Sequence, residues 1–322
     1  MALLLREADV EALLPMPLAL EAVEESFHHL ADGTALLQPR QRIALPIPEK
    51  THLSYMAAAD LVRGYAGLKI YTWVGGMLRF IVPLYRAASG ELLALIEADR
   101  LGQMRTGAAS GVATNYMAKP EARTVGIIGT GGQARTQLEA VAAVRLLERV
   151  RCYGRDAERR ARFAAEMTKK LGTPVEAVAS AEEAVRESEV VIAATTAAKP
   201  VVRGAWLTPG AHINAIGANF PQKRELDDEA VGRAGIIAVD SREQSKQEAG
   251  DLIQAFGDDV AAWSAVKELA EIVAGGAPGR TNGRQITLFK SNGIATWDIA
   301  CAARVYELAL ERGLGERISF GA

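Results

Sequence analysis

A glycine-rich turn between a β-branched run and an amphipathic stretch constrains the fold of this chain most. The run Thr124–Ile128 predicts a strand, and Gly129-Thr130-Gly131-Gly132-Gln133-Ala134 follows it with the spacing Gly-x-Gly-x-x-Ala. Apolar residues then recur every three to four positions over 133–147, which predicts a helix. In such a unit the first glycine permits a tight turn, the second lets a pyrophosphate approach the backbone, and the alanine permits close helix–strand packing. The pattern therefore predicts a dinucleotide site.

The alternation of short apolar runs and longer amphipathic stretches continues to about residue 240. It predicts a helix over 156–171 and further strands over 150–153, 175–178, 190–194, 212–216 and 236–239. Successive strand–helix units connect with right-handed crossovers and build a parallel sheet. We therefore expect an α/β fold with a doubly wound, Rossmann-type parallel sheet.

The two ends of the chain follow a different pattern. A helix is predicted over 17–30, and strands are predicted over 42–45, 53–57, 66–73 and 80–85, which favours an α+β domain. An alanine-rich amphipathic helix, predicted over 297–312, is expected to pack back onto that domain. We therefore expect a discontinuous first domain, 1–118 completed by 296–322, and a dinucleotide-binding Rossmann domain at 119–295.

Composition excludes several classes of protein. Of the 322 residues, 49% are hydrophobic and 24% charged, and no apolar run is long enough to span a membrane, so a globular protein is expected. The 37 Lys and Arg residues against 39 Asp and Glu residues offer no basic field for nucleic acid or an anionic membrane. Cys152, Cys301 and the four histidines show no disulfide or metal-ligand spacing. We expect a cytoplasmic protein without a metal, a nucleic-acid partner or a membrane partner.

The end of the second predicted strand bears on the choice of cofactor. An acidic residue there usually receives the ribose hydroxyls of NAD, but this chain has Tyr153-Gly154-Arg155-Asp156. Gly154 occupies the position of the acid, and Arg155 could pair with the 2′-phosphate of NADP. Asp156 could instead serve NAD, or both charged residues could simply begin a solvated helix. NADP is favoured over NAD.

Three cationic residues in the first domain are candidates for binding an anionic substrate. Arg42 lies in an alternating strand pattern, Lys69 lies in the mostly apolar run 66–71, and Arg105 opens a segment of small residues. An arginine fork matches the two oxygens of a carboxylate. The pattern alone leaves open that the lysine faces solvent and that the small residues only allow close helix packing.

Seven blocks together resemble the ornithine cyclodeaminase/mu-crystallin family, and the resemblance covers most of the chain. The blocks are Gln38-Pro39-Arg40-Gln41-Arg42, Leu68-Lys69, Met104-Arg105-Thr106-Gly107-Ala108-Ala109, the 129–134 turn, His212-Ile213-Asn214-Ala215-Ile216-Gly217-Ala218, Arg224-Glu225-Leu226-Asp227, and Thr287-Leu288-Phe289-Lys290-Ser291-Asn292-Gly293-Ile294-Ala295.

The resemblance implies a homodimer whose first domain binds the substrate, beside the nicotinamide of the cofactor, and pairs across subunits. It implies that Arg42, Lys69 and Arg105 hold the substrate carboxylate, with Arg40 a weaker candidate for the first of these roles. Met56 is expected to shape the substrate pocket. The expected cofactor-binding residues are Thr106, Gly129, Gly131, Gly132, Gln133, Ala134, Arg155, Thr195, Gly217 and Ser291, with Thr106 and Ser291 on the nicotinamide side.

One departure from the family pattern separates two reactions. Cyclodeaminases have an aspartate base shortly after the His-Ile-Asn-Ala block, where this chain has Asn219, and an acidic residue where it has Ser54. An amide cannot accept a proton at neutral pH, although it can orient a water or an imine. We therefore expect Asn219 to orient the substrate and Lys69 to complete the carboxylate clamp and donate a proton to the nascent amine.

The expected function is that of an NAD(P)H-dependent reductase of a small 2-imino acid, reversible as an L-amino-acid dehydrogenase. Two alternatives stay open. One is ornithine cyclodeaminase, an ammonia lyase with catalytic NAD. The other is a mu-crystallin-like, NADPH-dependent ligand-binding protein without enzymatic activity.

Overall fold

The protein is described from a computed structural model that covers residues 1–45, 51–74 and 77–319. Contacts divide the chain into a first unit, Met1–Ala109 with Gly293–Ala322, and a second unit, Ser110–Asn292. The sequence pattern puts the same two boundaries at 118 and 296. The first boundary differs because it falls inside a continuous helix, where the periodicity of the sequence shows no interruption.

The described residues form helices and strands in the following chain order. They are β1 (Ala2–Leu5), α1 (Glu7–Leu13), α2 (Met16–Ala31), β2 (Ala35–Ala44), β3 (His52–Asp60), β4 (Tyr65–Val74), β5 (Met77–Arg86), β6 (Leu92–Glu97), α3 (Asp99–Met117), β7 (Thr124–Ile128), α4 (Gly132–Val144), β8 (Arg149–Tyr153), α5 (Ala157–Leu171), β9 (Val175–Ala177), α6 (Ala181–Val185), β10 (Val190–Ala193), β11 (His212–Ala215), α7 (Asp228–Gly232), β12 (Ala234–Val239), α8 (Arg242–Glu248), α9 (Gly250–Phe256), α10 (Val260–Ala265), β13 (Lys267–Glu268), α11 (Leu269–Val273), β14 (Ile286–Lys290), α12 (Ala295–Arg312) and β15 (Glu316–Ile318).

The first unit contains a mixed sheet. Its described strands follow the order β15-β1-β6-β5-β4-β3-β2, in which β2 to β6 pair antiparallel with their neighbours and β1 pairs parallel with β6. Burial alternates along β3 and β4, so one face of the sheet is buried. The helix predicted near the C-terminus is α12, which packs on β3 and β4 and against α2, where Phe27 meets Trp297 edge-on at 5.4 Å.

The strands of this sheet are longer than the sequence predicts. For example, β3 continues past Ala57 through a further pair of alanines to Asp60. Alanine and aspartate have little preference for strands, but pairing of Ala58 with Gly67 and of Asp60 with Tyr65 extends the ladder. Cross-strand pairing, which the local sequence does not encode, therefore sets the ends of these strands.

The second unit contains a parallel sheet, as predicted. Its described strands follow the order β13-β12-β14-β11-β10-β7-β8-β9, with parallel pairing throughout. Strands β10, β11 and β14 are buried at every residue, as expected for strands covered on both faces. The sequence analysis does not predict β14 as a strand, although it lies between β11 and β12 in the middle of the sheet.

Three structural observations concern the excluded classes. Cys152 and Cys301 are buried free thiols. Within the described ranges, no group of three or more His, Cys, Asp or Glu residues is placed to hold a metal ion. None of the helices described has the length and apolar character needed to cross a bilayer. The cytoplasmic location and the absence of a nucleic-acid partner stay predictions.

Candidate active site

Lys69 lies on the buried face of the first unit's sheet, where a lysine needs a compensating charge. It occupies the middle of β4, pairs across the ladder with Met56 on β3, and is only 2% exposed. Its Nζ stands 5.7 Å from the centroid of the Phe80 ring on β5. Because burial of an unpaired ammonium is costly, the surroundings of Lys69 must supply negative charge.

Asp298 on the first turn of α12 supplies that charge. The Lys69 ammonium donates to both carboxylate oxygens of Asp298 at 2.9 Å, and Asp298 is fully buried. The Arg105 guanidinium on α3 donates through Nε to the Oδ1 of the same carboxylate at 3.0 Å. One carboxylate therefore joins two of the residues predicted to bind substrate, although the sequence analysis does not single it out.

Arg105 keeps part of its guanidinium available. Its Nη1 is buried and has no hydrogen-bond partner in the structure. The guanidinium lies against Gly293, whose φ of +79° favours glycine and where a Cβ atom would collide with Arg105. A buried donor without a partner is costly, so this atom is a fitting place for a ligand oxygen.

Arg40, the weaker candidate from sequence, lies on β2 and contacts this group. It is 7% exposed, and its Nη2 donates to the Gly293 carbonyl at 3.2 Å and lies 3.8 Å from the sulfur of Met56. The register of β2 with β3 shifts between Gln38 and Gln41, which brings Arg40 opposite Met56. We call Lys69, Arg105, Arg40 and Asp298 the Asp298 cluster.

Arg42 stands one row further along the same ladder. It pairs with Ser54 on β3, which in turn pairs with Tyr71 on β4. Arg42 is half-buried, whereas the Ser54 hydroxyl is fully buried and has no hydrogen-bond partner in the structure. The Tyr71 ring packs against Phe80 with centroids 4.9 Å apart. This row places the Ser54 hydroxyl and the Tyr71 ring beside the Asp298 cluster.

The Asp298 cluster changes the acidity of its lysine. Burial lowers the pKa of Lys69 first, and the neighbouring Arg105 guanidinium lowers it further, while Asp298 opposes both effects; the result is a pKa of about 7 instead of 10.5. An amine with a pKa near neutrality can both donate and accept a proton at physiological pH. Lys69 is therefore chemically suited to proton transfer.

The glycine-rich turn of the second unit fits a dinucleotide. Gly129 has φ +115°, and a Cβ there would collide with the carbonyl of Ala194 on the loop after β10. Gly131 caps the N-terminus of α4 and has open space around it, and Ala134 is fully buried where the helix meets the sheet. Gly132 is exposed and Gln133 half-buried, with its Oε1 lacking a hydrogen-bond partner in the structure. Gly129 and Ala134 thus have the structural roles that the spacing predicts, whereas the approach of a pyrophosphate at Gly131 stays a prediction.

The end of β8 is followed by Gly154, Arg155 and Asp156. A Cβ at Gly154 would come within 2.8 Å of the Thr130 hydroxyl on the glycine-rich turn. The carboxylate of Asp156 accepts from the backbone amide of Arg159 and so caps α5. Arg155 is exposed. The structure thus gives Asp156 a local role and leaves a cation at this position.

A buried acid holds together the loops that follow β10 and β11. Oε1 of Glu225 accepts from the backbone amide of Thr195 at 2.6 Å and from its hydroxyl at 2.7 Å, and Oε2 accepts from the amide of Gly217 at 2.6 Å. Asp251 accepts from the amide of Glu225 at 2.6 Å and lies 3.6 Å from the Lys290 ammonium at the end of β14. Burial and, after it, Asp251 raise the pKa of Glu225. Two predicted cofactor residues, Thr195 and Gly217, therefore share one carboxylate.

The remaining predicted residues lie as follows. The Ser291 hydroxyl, just after β14, is buried and donates to Asp240 at 3.1 Å. The Thr106 hydroxyl donates to the Gly102 carbonyl one turn back in α3 at 2.7 Å. Asn219 is half-buried in the loop after β11. Their roles toward a ligand stay predictions.

Comparison with known proteins identifies the family. Residues 1–313 match the ornithine cyclodeaminase/mu-crystallin family. The chain belongs to that family. It is 42% identical over 241 residues, 74% of each chain, to a Delta(1)-pyrroline-2-carboxylate reductase of Bacillus cereus.

Two solved structures of the family resemble the whole chain. The Delta(1)-pyrroline-2-carboxylate reductase of Thermococcus litoralis, in complex with NADH and L-proline, is 40% identical with a TM-score of 0.94, over 98% of this chain and 100% of that one. An archaeal alanine dehydrogenase dimer with bound NAD is 35% identical with a TM-score of 0.92, over 99% of both chains. These relatives confirm the predicted fold class and the predicted enzyme class, an NAD(P)-dependent oxidoreductase of imino and amino acids.

Within this family framework, sequence reasoning missed two residues that organise the site, Asp298 and Glu225. A buried lysine in an apolar strand requires a buried acid as its partner. Asp298 lies between Trp297 and Ile299 on the buried face of α12, so an acid within an apolar helical segment was the signal that could have identified it. Glu225 lies in one of the resembling blocks, but nothing in its local pattern indicates that it is buried.

Proposed function

We propose that this protein reduces the C=N bond of a small cyclic 2-imino acid with NAD(P)H and, in reverse, oxidises the corresponding L-amino acid. The observation that carries the proposal is the Asp298 cluster, in which one buried carboxylate pairs with Lys69 and Arg105 while Nη1 of Arg105 has no hydrogen-bond partner among the described residues. A substrate carboxylate supplies the missing acceptor. The two reductase relatives favour a five-membered ring, Delta(1)-pyrroline-2-carboxylate, with L-proline as the product.

The residues of the first unit would bind and protonate the substrate. Arg105 and Arg40 hold the carboxylate, and Arg42 contributes from the next row of the ladder. Lys69 gives a proton to the nitrogen as the C=N bond becomes single and the electron pair moves to nitrogen, and solvent then reprotonates Lys69. Such fixed positioning is worth several kcal/mol of the barrier. Met56 lies across the strand from Lys69 and shapes the pocket, and Asn219 orients the nitrogen or a water.

The residues of the second unit would hold the cofactor, which when bound supplies the hydride. The amides at the start of α4 receive the pyrophosphate, as the open space around Gly131 allows. Thr106 and Ser291 line the nicotinamide side, and Thr195 and Gly217 contribute to cofactor binding from the loops after β10 and β11. NADPH is the preferred form, because Arg155 can pair with a 2′-phosphate while Asp156 is engaged in capping α5.

The protein acts as a homodimer in this proposal. The outward face of the first unit's sheet is apolar, with Tyr55, Ile70 and Ile81 in one row across β3, β4 and β5. Ile81 is 49% exposed and Ile43 on β2 is 50% exposed. Contiguous exposed apolar surface of this kind marks an interaction site. The dimeric archaeal alanine dehydrogenase supports a second copy of this chain as the occupant.

Parallel assays of NADPH and NADH oxidation test the function. The substrates are Delta(1)-pyrroline-2-carboxylate, the six-membered cyclic ketimine acid, and pyruvate, glyoxylate or oxaloacetate with and without ammonia or methylamine. We expect oxidation with a carboxylate-bearing imine, fastest with the five-membered ring, and no oxidation with the corresponding ring that lacks the carboxylate. No oxidation by any imino acid, despite cofactor binding, would overturn the proposal. Formation of proline and ammonia from ornithine with catalytic NAD would then establish the lyase instead.

A further inference from the structure

Asp298 does more than neutralise charge on Lys69 and Arg105, because its hydrogen bonds also orient both cations. Both of its oxygens lie 2.9 Å from the Lys69 nitrogen, and Oδ1 also accepts from Nε of Arg105. An ammonium has three N–H donors, so two directed at Asp298 leave one. Because Arg105 uses Nε for Asp298, its terminal Nη1 stays open. Asp298 thus leaves one N–H of Lys69 and the Nη1 group of Arg105 for a ligand.

We propose that Asp298 is the positioning residue of the reduction: its carboxylate aims the free donors of Lys69 and Arg105 at the substrate and keeps Lys69 an ammonium ion until the substrate nitrogen takes its proton. This inference rests on the proposed function. Asp298 would act on the reaction through Lys69, so removing its charge should change the pH dependence of the rate.

The charges around Lys69 determine the sign of the effect. Arg105 from α3 and Arg40 from β2 favour the neutral amine, and burial acts in the same direction, whereas Asp298 from α12 favours the ammonium. Cys301 follows Asp298 by nearly one turn of α12; burial, and after it Asp298, raise the pKa of its thiol, so it adds no charge at neutral pH. Phe80 from β5 and Met56 from β3, which also lie beside Lys69, are uncharged. Removing the charge of Asp298 must therefore lower the pKa of Lys69.

The proton balance turns this shift into a measurable change. Reduction requires the Lys69 ammonium, so its rate falls as pH rises through the pKa of Lys69. Oxidation of the amino acid requires the neutral amine, so its rate falls as pH drops through the same pKa. Asp298→Asn should move both limits to lower pH, whereas a purely structural defect would lower the rate equally at every pH.

The first measurement is the pH profile of kcat for imine reduction in wild type, Asp298→Asn and a control, Glu307→Gln. Glu307 also lies on α12 and loses a carboxylate in the control, but it pairs with Arg63 at 2.6 Å and with Tyr65. We expect the alkaline limit to fall by at least about one pH unit in Asp298→Asn and to stay in place in the control. A uniform loss of rate with an unmoved limit would overturn the inference.

The second measurement needs no turnover and therefore separates this inference from the proposed function. In protein labelled at the lysine Cε with carbon-13, the Lys69 resonance is the one absent from Lys69→Met, and its shift against pH gives the pKa directly. A lower pKa in Asp298→Asn than in wild type supports the inference even where the proposed substrate fails, and an equal pKa contradicts it.

If Asp298→Asn does not fold, Asp298→Glu takes its place. This substitution displaces the negative charge without removing it, so kcat should fall while the alkaline limit of the pH profile stays near that of wild type. A limit that moves fully in that variant would count against the inference.

Discussion

The most demanding test of the second unit is Glu225→Gln, which keeps the shape of the side chain and removes its charge. Both oxygens of Glu225 accept from backbone amides, Oε1 from Thr195 and Oε2 from Gly217. A glutamine has one acceptor oxygen and one amino group. Whichever way it is oriented, its amino group must face a backbone N–H.

The cost follows from the number of buried donors left without acceptors. If the glutamine oxygen still accepts from Thr195, the N–H of Gly217 and the glutamine amino group face each other without an acceptor. Each unsatisfied buried donor costs about 1–3 kcal/mol. The free energy of unfolding should therefore fall by about 2–6 kcal/mol. At about 2–4 °C per kcal/mol for a unit of this size, a loss near 3 kcal/mol lowers Tm by about 6–12 °C. The cofactor should also bind at least about tenfold more weakly, because Thr195 and Gly217 lose their common anchor.

Differential scanning fluorimetry and titration of cofactor fluorescence measure the two effects. The control is Glu182→Gln, the same substitution in the second unit at an exposed ion pair with Arg186. A pair of this kind contributes up to about 1 kcal/mol, so its loss should shift Tm by no more than about 4 °C and leave cofactor affinity unchanged. If Glu225→Gln behaved like this control, the role assigned to the buried carboxylate would be refuted.

Three further predictions concern the substrate, the cofactor and the assembly. Lys69→Met should abolish turnover, because it removes the proton donor, while cofactor affinity stays within about twofold of wild type in a fluorescence titration; retained turnover would remove Lys69 from the mechanism. Arg155→Ala should raise KM for NADPH about tenfold and leave KM for NADH unchanged, since a charge-assisted bond to the 2′-phosphate is lost; equal effects on both cofactors would contradict an NADP site. Ile81→Lys should convert the dimer to a monomer in light scattering, since it places a charge on the apolar outward face of the sheet; an unchanged mass would exclude that face.

The second unit was largely predictable because its information is local. Strand β7, the glycine-rich turn and the start of α4 follow each other within a few residues, and period and glycine spacing specify all three. Strand β14 escapes prediction because its fully buried run differs little from a buried helical segment and because it enters the sheet far from its neighbours in sequence.

The first unit was less predictable because its site depends on register. Sequence alternation favours Arg42 over Arg40, since Arg42 lies in the more regular part of the strand. The irregularity between Gln38 and Gln41 changes this by bringing Arg40 opposite Met56 and into contact with Gly293. A bulge of one residue has no clear local pattern here, so the position of Arg40 opposite Met56 could not be predicted from the sequence.

The two buried acids have different electrostatic surroundings, which supports assigning the proposed substrate site to only one of them. Asp298 pairs with both Lys69 and Arg105, so these three side chains together carry a net positive charge when Lys69 is an ammonium. Excess buried charge is unfavourable, and an anion that enters the cluster relieves it. In the other network, Glu225 and Asp251 share Lys290 and several backbone N–H groups, so the donors are already used. The first arrangement gains from binding a carboxylate, whereas the second gains only from keeping its loops together. In the proposed function, selectivity for carboxylate-bearing imines therefore depends on the Asp298 cluster, because an imine without a carboxylate would leave its positive charge unrelieved.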